Sequence, residues 1–457
     1  LKEIKGIKMT QLKSQMSIGM NLIDLGAHPE AWRAGEVRAD AYFDPEYYRQ
    51  LARISEDGKL DAVFIADVPA CAGDFSKAPV GRLDPLITLT LIAEATKHIG
   101  LIATASSTYN DPYNLARRIA SLDIVSQGRA AWNVVTTVTD IAAQNFGLTE
   151  AILRHKRYER ADEFIQTVKA LWDSWEDQAI VGDLHHGVFG DTNKLHTINH
   201  QGQYFSVKGP LNVPRTPQGQ PVLVQAGSSE AGKNLGAEHA DIIFTSQTTL
   251  DSAQNFYQEM KTRAIGFGRN PQHVKIMPGL CTVIGSTEVE AKQRFEDVQQ
   301  HIDEQRQILQ VAMRIGLPPS ELSIDKEVPW DLLQQQPEHN SGSHGFIDAH
   351  LALARERKLT VRDLARQILV GHRLLVGTPE QIADSMQSWF KAGAADGFNI
   401  IPDRMPSGVR DFVDEVVPIL QRRGVFRREY TGSTLREHLG IPRPQNRHSS
   451  IADVEIA

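Results

Sequence analysis

Short apolar runs recur along the chain, and most are followed by a stretch whose apolar residues return at helical spacing. That is the pattern of βα units around a parallel sheet. The runs predict strands at 16–22, 62–66, 100–106, 130–135, 221–226, 241–244, 275–283 and 397–401. This number of runs, in this order, predicts α/β architecture of the closed (β/α)8 TIM-barrel kind rather than an open sheet. The punctuation agrees. Asp44-Pro45-Glu46 sets an N-cap and an N1 proline before a helix over 47–57, Asp84-Pro85 does the same before 86–97, and Gly58 and Gly100 act as stops. Over 157–172, Phe164, Ile165, Val168 and Leu171 share one face, so that helix should lean on the barrel.

Two segments interrupt the rhythm and are too long for ordinary loops. The first, 173–219, is rich in Gly, His, Asn and Pro and predicts a small hairpin excursion. The second, 287–371, carries a helical stretch rich in Arg, Gln and Glu, a break at Pro318 and a loose patch at 338–345. Insertions after barrel strands lie on the catalytic face, which makes the second segment a candidate lid and oligomer contact, within a homodimer or homotetramer. The resulting division is an extension over 1–15, part of it added to the natural chain, one barrel over 16–428, and a C-terminal tail over 429–457.

Composition narrows the function classes. The 457 residues, 41% hydrophobic and 23% charged, suit a globular protein with a full core. The net charge of -7 arises from interspersed acids and bases, leaving no basic footprint for nucleic acid or an anionic membrane, so a small-molecule substrate is expected. No run approaches the roughly 20 apolar residues of a membrane span. Cys71 and Cys281 stand far apart, against a disulfide framework or thiolate metal site and in favour of the reducing cytoplasm. His185, His186, His196 and His200 cluster without metal-ligand spacing, and no metal is expected.

The chain has no G-x-G-x-x-G, Walker, H-E-x-x-H, G-x-S-x-G or EF-hand signature. Its strongest local feature is the stretch from Pro221 through Gln225, Ala226, Gly227, Ser228 and Ser229 to Gly232, an apolar strand that turns through small residues into a helix. Two readings fit. Backbone N–H groups, hydroxyls and the helix dipole can hold a phosphate, or Ser228 or Ser229 simply caps the helix. Polar residues at other strand ends, namely Asp67, Thr104, Ser106 and Asn133, mark the face where barrel active sites form. Arg154 and Tyr158 could add a guanidinium and a phenol to the same anion.

These residues, together with Phe64-Ile-Ala-Asp67, Gly128-Arg-Ala-Ala-Trp-Asn-Val-Val-Thr136, Arg157-Tyr-Glu-Arg-Ala-Asp-Glu-Phe164 and Val376-Gly-Thr-Pro-Glu-Gln-Ile-Ala-Asp384, run in an order that closely resembles one group. It is the bacterial-luciferase-like flavin monooxygenases of the nitrilotriacetate monooxygenase and dibenzothiophene sulfone monooxygenase type. The resemblance implies FMN as cofactor, used as FMNH2 that a separate NAD(P)H:flavin reductase supplies by diffusion, with O2 as co-substrate and C–N or C–S cleavage as outcome. It places Asp67, Thr104, Ser106 and Asn133 near the flavin ring, and Arg154, Tyr158, Ala226, Gly227, Ser228 and Ser229 around the phosphate. One departure stands out: many members carry a histidine where this chain has Arg154.

For proton handling the candidate is His372, between the long insertion and the Val376 motif, since histidine titrates near neutrality; holding the base of the lid is its structural alternative. Asn21, His28, Trp32 and Cys71 are expected at the substrate mouth, where they mix polar and apolar character. For Cys71 a small buried hydrophobe is the other reading. Three alternatives remain beside the monooxygenase: a deazaflavin-dependent oxidoreductase on the same barrel, a flavin-binding protein without catalysis, and a phosphate-binding lyase or isomerase. The last would want a lysine or paired carboxylates at strand ends, where only Asp67 is clear.

Overall fold

A computed structural model describes residues 15–71, 73–334 and 344–449. Its main sheet is parallel throughout. The barrel strands are β1 (Ser17–Asn21), β2 (Ala62–Ile65), β3 (Gly100–Ser106), β4 (Ala130–Val135), β5 (Val222–Gln225), β6 (Ile242–Thr245), β7 (Lys275–Ile284) and β8 (Gly397–Pro402). Each pairs with the next, and β8 returns to β1 with Ser17 opposite Gly397, so the expected TIM barrel is closed. Each expected strand corresponds to one of these. The sheet also holds a strand that the apolar pattern does not announce, Arg373–Gly377, which pairs with residues 280–284 of β7. It takes over the edge that β6 occupies along residues 275–278.

Helix entry follows the cap residues. The side chain of Asp44 accepts from Glu46 N before Pro45–Asp57, and that of Asp84 accepts from Leu86 N and Ile87 N before Pro85–Ala95. Gly58 does end the first helix, whereas the second ends at Thr96 and Gly100 opens β3. The first insertion forms two small antiparallel ribbons, Ile180–Asp183 with Val188–Gly190 and His200–Gln201 with Ser206–Val207. The second is helical, with Glu288–Gln299, Glu304–Ile315, His344–Arg357 and Val361–Val370. It has a core of its own, in which Val311, Ile315, Leu322, Leu364 and Ile368 are buried together. Most of the patch expected at 338–345 lies outside the described residues.

Alternation along the strands separates two cores. Ile18, Met20, Val63, Leu101, Trp132 and Ile400 face the surrounding helices, while Ala62, Phe64, Ile102, Val222, Ile242 and Met277 fill the barrel. The lower end is closed by the C-terminal segment, whose Leu435, Leu439 and Ile441 join that inner cluster. Its charges matter as much as its apolar side chains. Asp61, just ahead of β2, accepts from Ile18 N at 2.6 Å and pairs with Arg427. Asp241, just ahead of β6, accepts from Leu223 N at 3.0 Å and pairs with Arg436 at 2.9 Å.

Breaking one half of such a pair strands a buried charge. Arg427→Met is therefore expected to lower unfolding free energy by about 3–5 kcal/mol, read by urea denaturation. Adding Asp61→Asn should recover a good part of the loss. A double variant no better than the single one would sink the electrostatic account.

Candidate active site

At the carboxyl ends of the strands the barrel interior changes from apolar to polar. Thr104 on β3 and Asn133 on β4 are adjacent in register, and Asn133 Nδ2 donates to Thr104 Oγ1 at 2.9 Å. Asn133 Oδ1 and, across the mouth at the end of β1, Asn21 Oδ1 are buried without a hydrogen-bond partner among the described residues. Ser106 Oγ is engaged locally, accepting from Thr137 Oγ1 at 2.8 Å and from Thr108 N at 3.1 Å, so it shapes the turn after β3. Asp67 is half-buried beside Arg82, which also reaches Ala66 O and Asp24. Burial raises the Asp67 pKa, and Arg82 opposes that rise.

The Gln225 turn is built by its own side chain, with Gln225 Oε1 accepting from Gly227 N at 2.8 Å. Ser229, rather than Ser228, is the N-cap of Glu230–His239 and accepts from Gly232 N at 3.2 Å. The cap and the anion site are thus compatible uses of neighbouring serines. Small residues are required here: a Cβ on Gly227 would stand 2.8 Å from Gly232 Cα and 3.1 Å from Tyr158 Oη. Tyr158, brought in by the helix Arg154–Trp172, therefore sets its hydroxyl against the loop formed by Ala226, Gly227, Ser228 and Ser229. Arg154 is exposed at the start of that helix. Beneath it lies Arg157, a buried guanidinium that motif reading passed over because it looked like part of a helix face.

His372 stands on the same end of the barrel, 8% exposed, its ring 4.9 Å from that of Phe244. Gly279 makes room for it, since a Cβ there would fall 2.7 Å from the imidazole Cγ and 2.8 Å from Cε1. Burial, and then the neighbouring His350, push His372 down to about 3, which keeps the ring neutral at ordinary pH. The insertion covers this side of the mouth: Thr248 Oγ1 donates to Ala349 O at 2.6 Å, and Ser246 Oγ to Gly371 O at 3.3 Å.

The four residues expected at the substrate mouth separate. Asn21 lies at the end of β1. His28 is 2% exposed, and the groups acting on it include Gln299 and Arg306 of the insertion, with burial and then Arg306 pushing it down to about 4. Next to it, Glu30 pairs with Arg306 at 2.6 Å, which ties the loop after β1 to the helix Glu304–Ile315. Trp32 is partly buried and donates to Lys77 O at 3.3 Å, and Cys71 is exposed rather than a buried hydrophobe. The histidines of the first insertion do not converge, because His186, His196 and His200 each meet a carboxylate of their own.

Residues 22–396 match the model of the luciferase-like monooxygenases. The chain belongs to the luciferase-like monooxygenase family. It is 44% identical over 445 residues to N-acetyl-S-(2-succino)cysteine monooxygenase of Bacillus subtilis (strain 168), covering 96% of this chain and 100% of that protein. Identity to nitrilotriacetate monooxygenase component A of Aminobacter aminovorans is 43% over 447 residues, covering 94% and 98%. A solved riboflavin lyase with modified FMN and its substrate riboflavin superposes with a TM-score of 0.81 at 31% identity, covering 97% of this chain and 100% of that one. This family member is accordingly a flavin-dependent monooxygenase, and among its described residues no helix is long and apolar enough to cross a membrane.

Two expectations follow for the histidines of this luciferase-like monooxygenase. With His28 at about 4 and His372 at about 3, both below the ordinary 6.5, protons bind the unfolded chain more tightly than the folded one. The stability they confer is complete above pH 6.5 and falls as pH drops toward those values. The double variant His28→Gln/His372→Asn should flatten that acid limb in urea titrations, and an unchanged slope would refute it. Gly279→Ala should cost about 1–3 kcal/mol by overpacking against His372; no change in the urea midpoint would mean the ring moves freely.

Proposed function

We propose that this chain is the oxygenase of a two-component system. It binds FMN as FMNH2, received by diffusion from a separate NAD(P)H:flavin reductase, and uses O2 to oxygenate a small organic substrate with cleavage of a C–N or C–S bond. The observation that carries this reading is the meeting of Tyr158 with the Gly227 loop at the barrel mouth, in a chain that matches the family along most of its length.

The residues suit flavin mononucleotide. The Gly227 cradle leaves backbone close to a phosphate, with Ser228, Ser229, Tyr158 and Arg154 as donors around it. Asn133 Oδ1, buried without a partner among the described residues, can accept from a ring N–H, with Thr104 holding the amide in place. Asp67 and Ser106 border the same end. When bound, the reduced flavin activates O2 and supplies one oxygen atom to the substrate, the other leaving as water. The chain's own tasks are positioning, exclusion of water by the insertion, and proton handling. A neutral His372 can hold a hydrogen bond at one ring nitrogen, and Asn21 offers a buried acceptor to the substrate.

Support for the divided system comes from the nitrilotriacetate relative, whose name makes it component A, and from the lack of a dinucleotide fingerprint in this sequence. The two relatives carry a sulfur-linked and a nitrogen-linked substrate in their names, which sets the bonds to be tested. Two unpaired cysteines fit the cytoplasm. Val289 and Met313, exposed on the second insertion, fit burial in a homodimer or homotetramer.

The test couples the protein to an NADH:flavin reductase and measures oxygen consumed against thiol, amine or sulfite released from thioether, aminopolycarboxylate and sulfone substrates. Product should match oxygen and require FMN. Hydride transfer that proceeds without O2 would overturn the reading, as would oxygen recovered only as peroxide across the panel. For His372→Asn, FMN affinity should hold while product per oxygen falls about tenfold or more.

A further inference from the structure

Arg157 differs from several other buried cations of this chain. It is 8% exposed. Arg427, Arg436, Arg294 and Lys261 each meet an aspartate, and Arg129 directs its donors to oxygens of Ala93, Thr96, Ile99 and Ser126. For Arg157 the one hydrogen bond to protein is from Nη1 to Ile152 O, and Nε is buried without a partner among the described residues. The charged and phenolic groups that act on it are Tyr158, Arg154 and Tyr109, with no carboxylate among them, and burial pulls its pKa below the ordinary value. A guanidinium taken out of water with few hydrogen bonds and no counter-charge is unfavourable, and an anion that arrives with a ligand would relieve it.

Where that anion would sit follows from the helix. Arg154, Arg157 and Tyr158 occupy positions i, i+3 and i+4, hence one face. Leu153 at the N-cap offers no side-chain acceptor, which leaves the first-turn N–H groups of this 19-residue helix open to an anion. Across from them, Tyr158 Oη would stand 3.1 Å from a Cβ on Gly227 and 3.0 Å from one on Gly232. We propose that Arg157 is a buried counter-charge for the flavin's terminal phosphate and makes the site select phosphorylated flavin over riboflavin. This rests on the FMN reading given above. It adds a residue that acts on the phosphate alone: the ring contacts at Thr104 and Asn133 are shared by FMN and riboflavin.

The experiment compares FMN and riboflavin binding by flavin-fluorescence quenching in wild type, Arg157→Met and Arg157→Lys. Wild type should prefer FMN strongly. In Arg157→Met the FMN-to-riboflavin preference should fall at least about tenfold with riboflavin affinity unchanged, and Arg157→Lys should restore part of it. A residue that merely ties down Ile152 would weaken both flavins alike and leave the preference intact, which would overturn the proposal. Should Arg157→Met fail to fold, inorganic phosphate provides the second readout. At matched ionic strength against chloride, phosphate should raise the melting temperature of wild type more than that of Arg157→Lys, and equal shifts would overturn the proposal. Wild type that binds neither flavin would instead sink the FMN reading itself.

Discussion

The lower end of the barrel is governed by one electrostatic arrangement. A closed parallel barrel has no free edge, yet its strands begin with backbone N–H groups that no helix caps. In this protein aspartates just ahead of β2, β6 and β8 accept from the neighbouring strand: Asp61 from Ile18 N, Asp241 from Leu223 N and Asp396 from Ile276 N. Three buried carboxylates require cations. Lys261 serves Asp396, while Arg427 and Arg436, from the C-terminal segment, serve the other two. The same segment sets Leu435 and Leu439 into the barrel. Register, charge and packing are therefore satisfied together at one end.

Closing that end leaves the opposite one for chemistry. There the interior changes from Ile102, Val222 and Ile242 to Thr104, Asn133 and Asn21, and the polar atoms are not all paired with one another. The insertion is fastened over this mouth by Thr248 to Ala349 and by Glu30 to Arg306. It has a core of its own, and its Val370 packs against Cys281 and Ile401 of the barrel. A neutral His372 under that cover fits a site that must exclude water and hold protons sparingly.

Arg154 opens the helix that also carries Arg157 and Tyr158. Its side chain is exposed at the rim, one helical turn above Arg157. His372 lies against Phe244 and Gly279 on the same side of the barrel.

The amino-acid sequence by itself determined what depends on near neighbours. The apolar runs marked the strands from β1 to β8, Asp44 and Asp84 marked helix starts, and the small residues from Ala226 to Ser229 marked a tight turn. It could not place what depends on partners far along the chain. Arg373–Gly377 becomes a strand because β7 outruns β6 and offers an edge. The tail over 429–457 has no evident purpose until Arg436 meets Asp241 and Leu435 and Leu439 enter the barrel. His28 looks like a mouth residue until the insertion covers it, and Arg157 looks like an ordinary helix charge until its Nε proves to be buried with no partner among the described residues. Burial and counter-charge are properties of the assembled barrel, so only the tertiary structure could decide them.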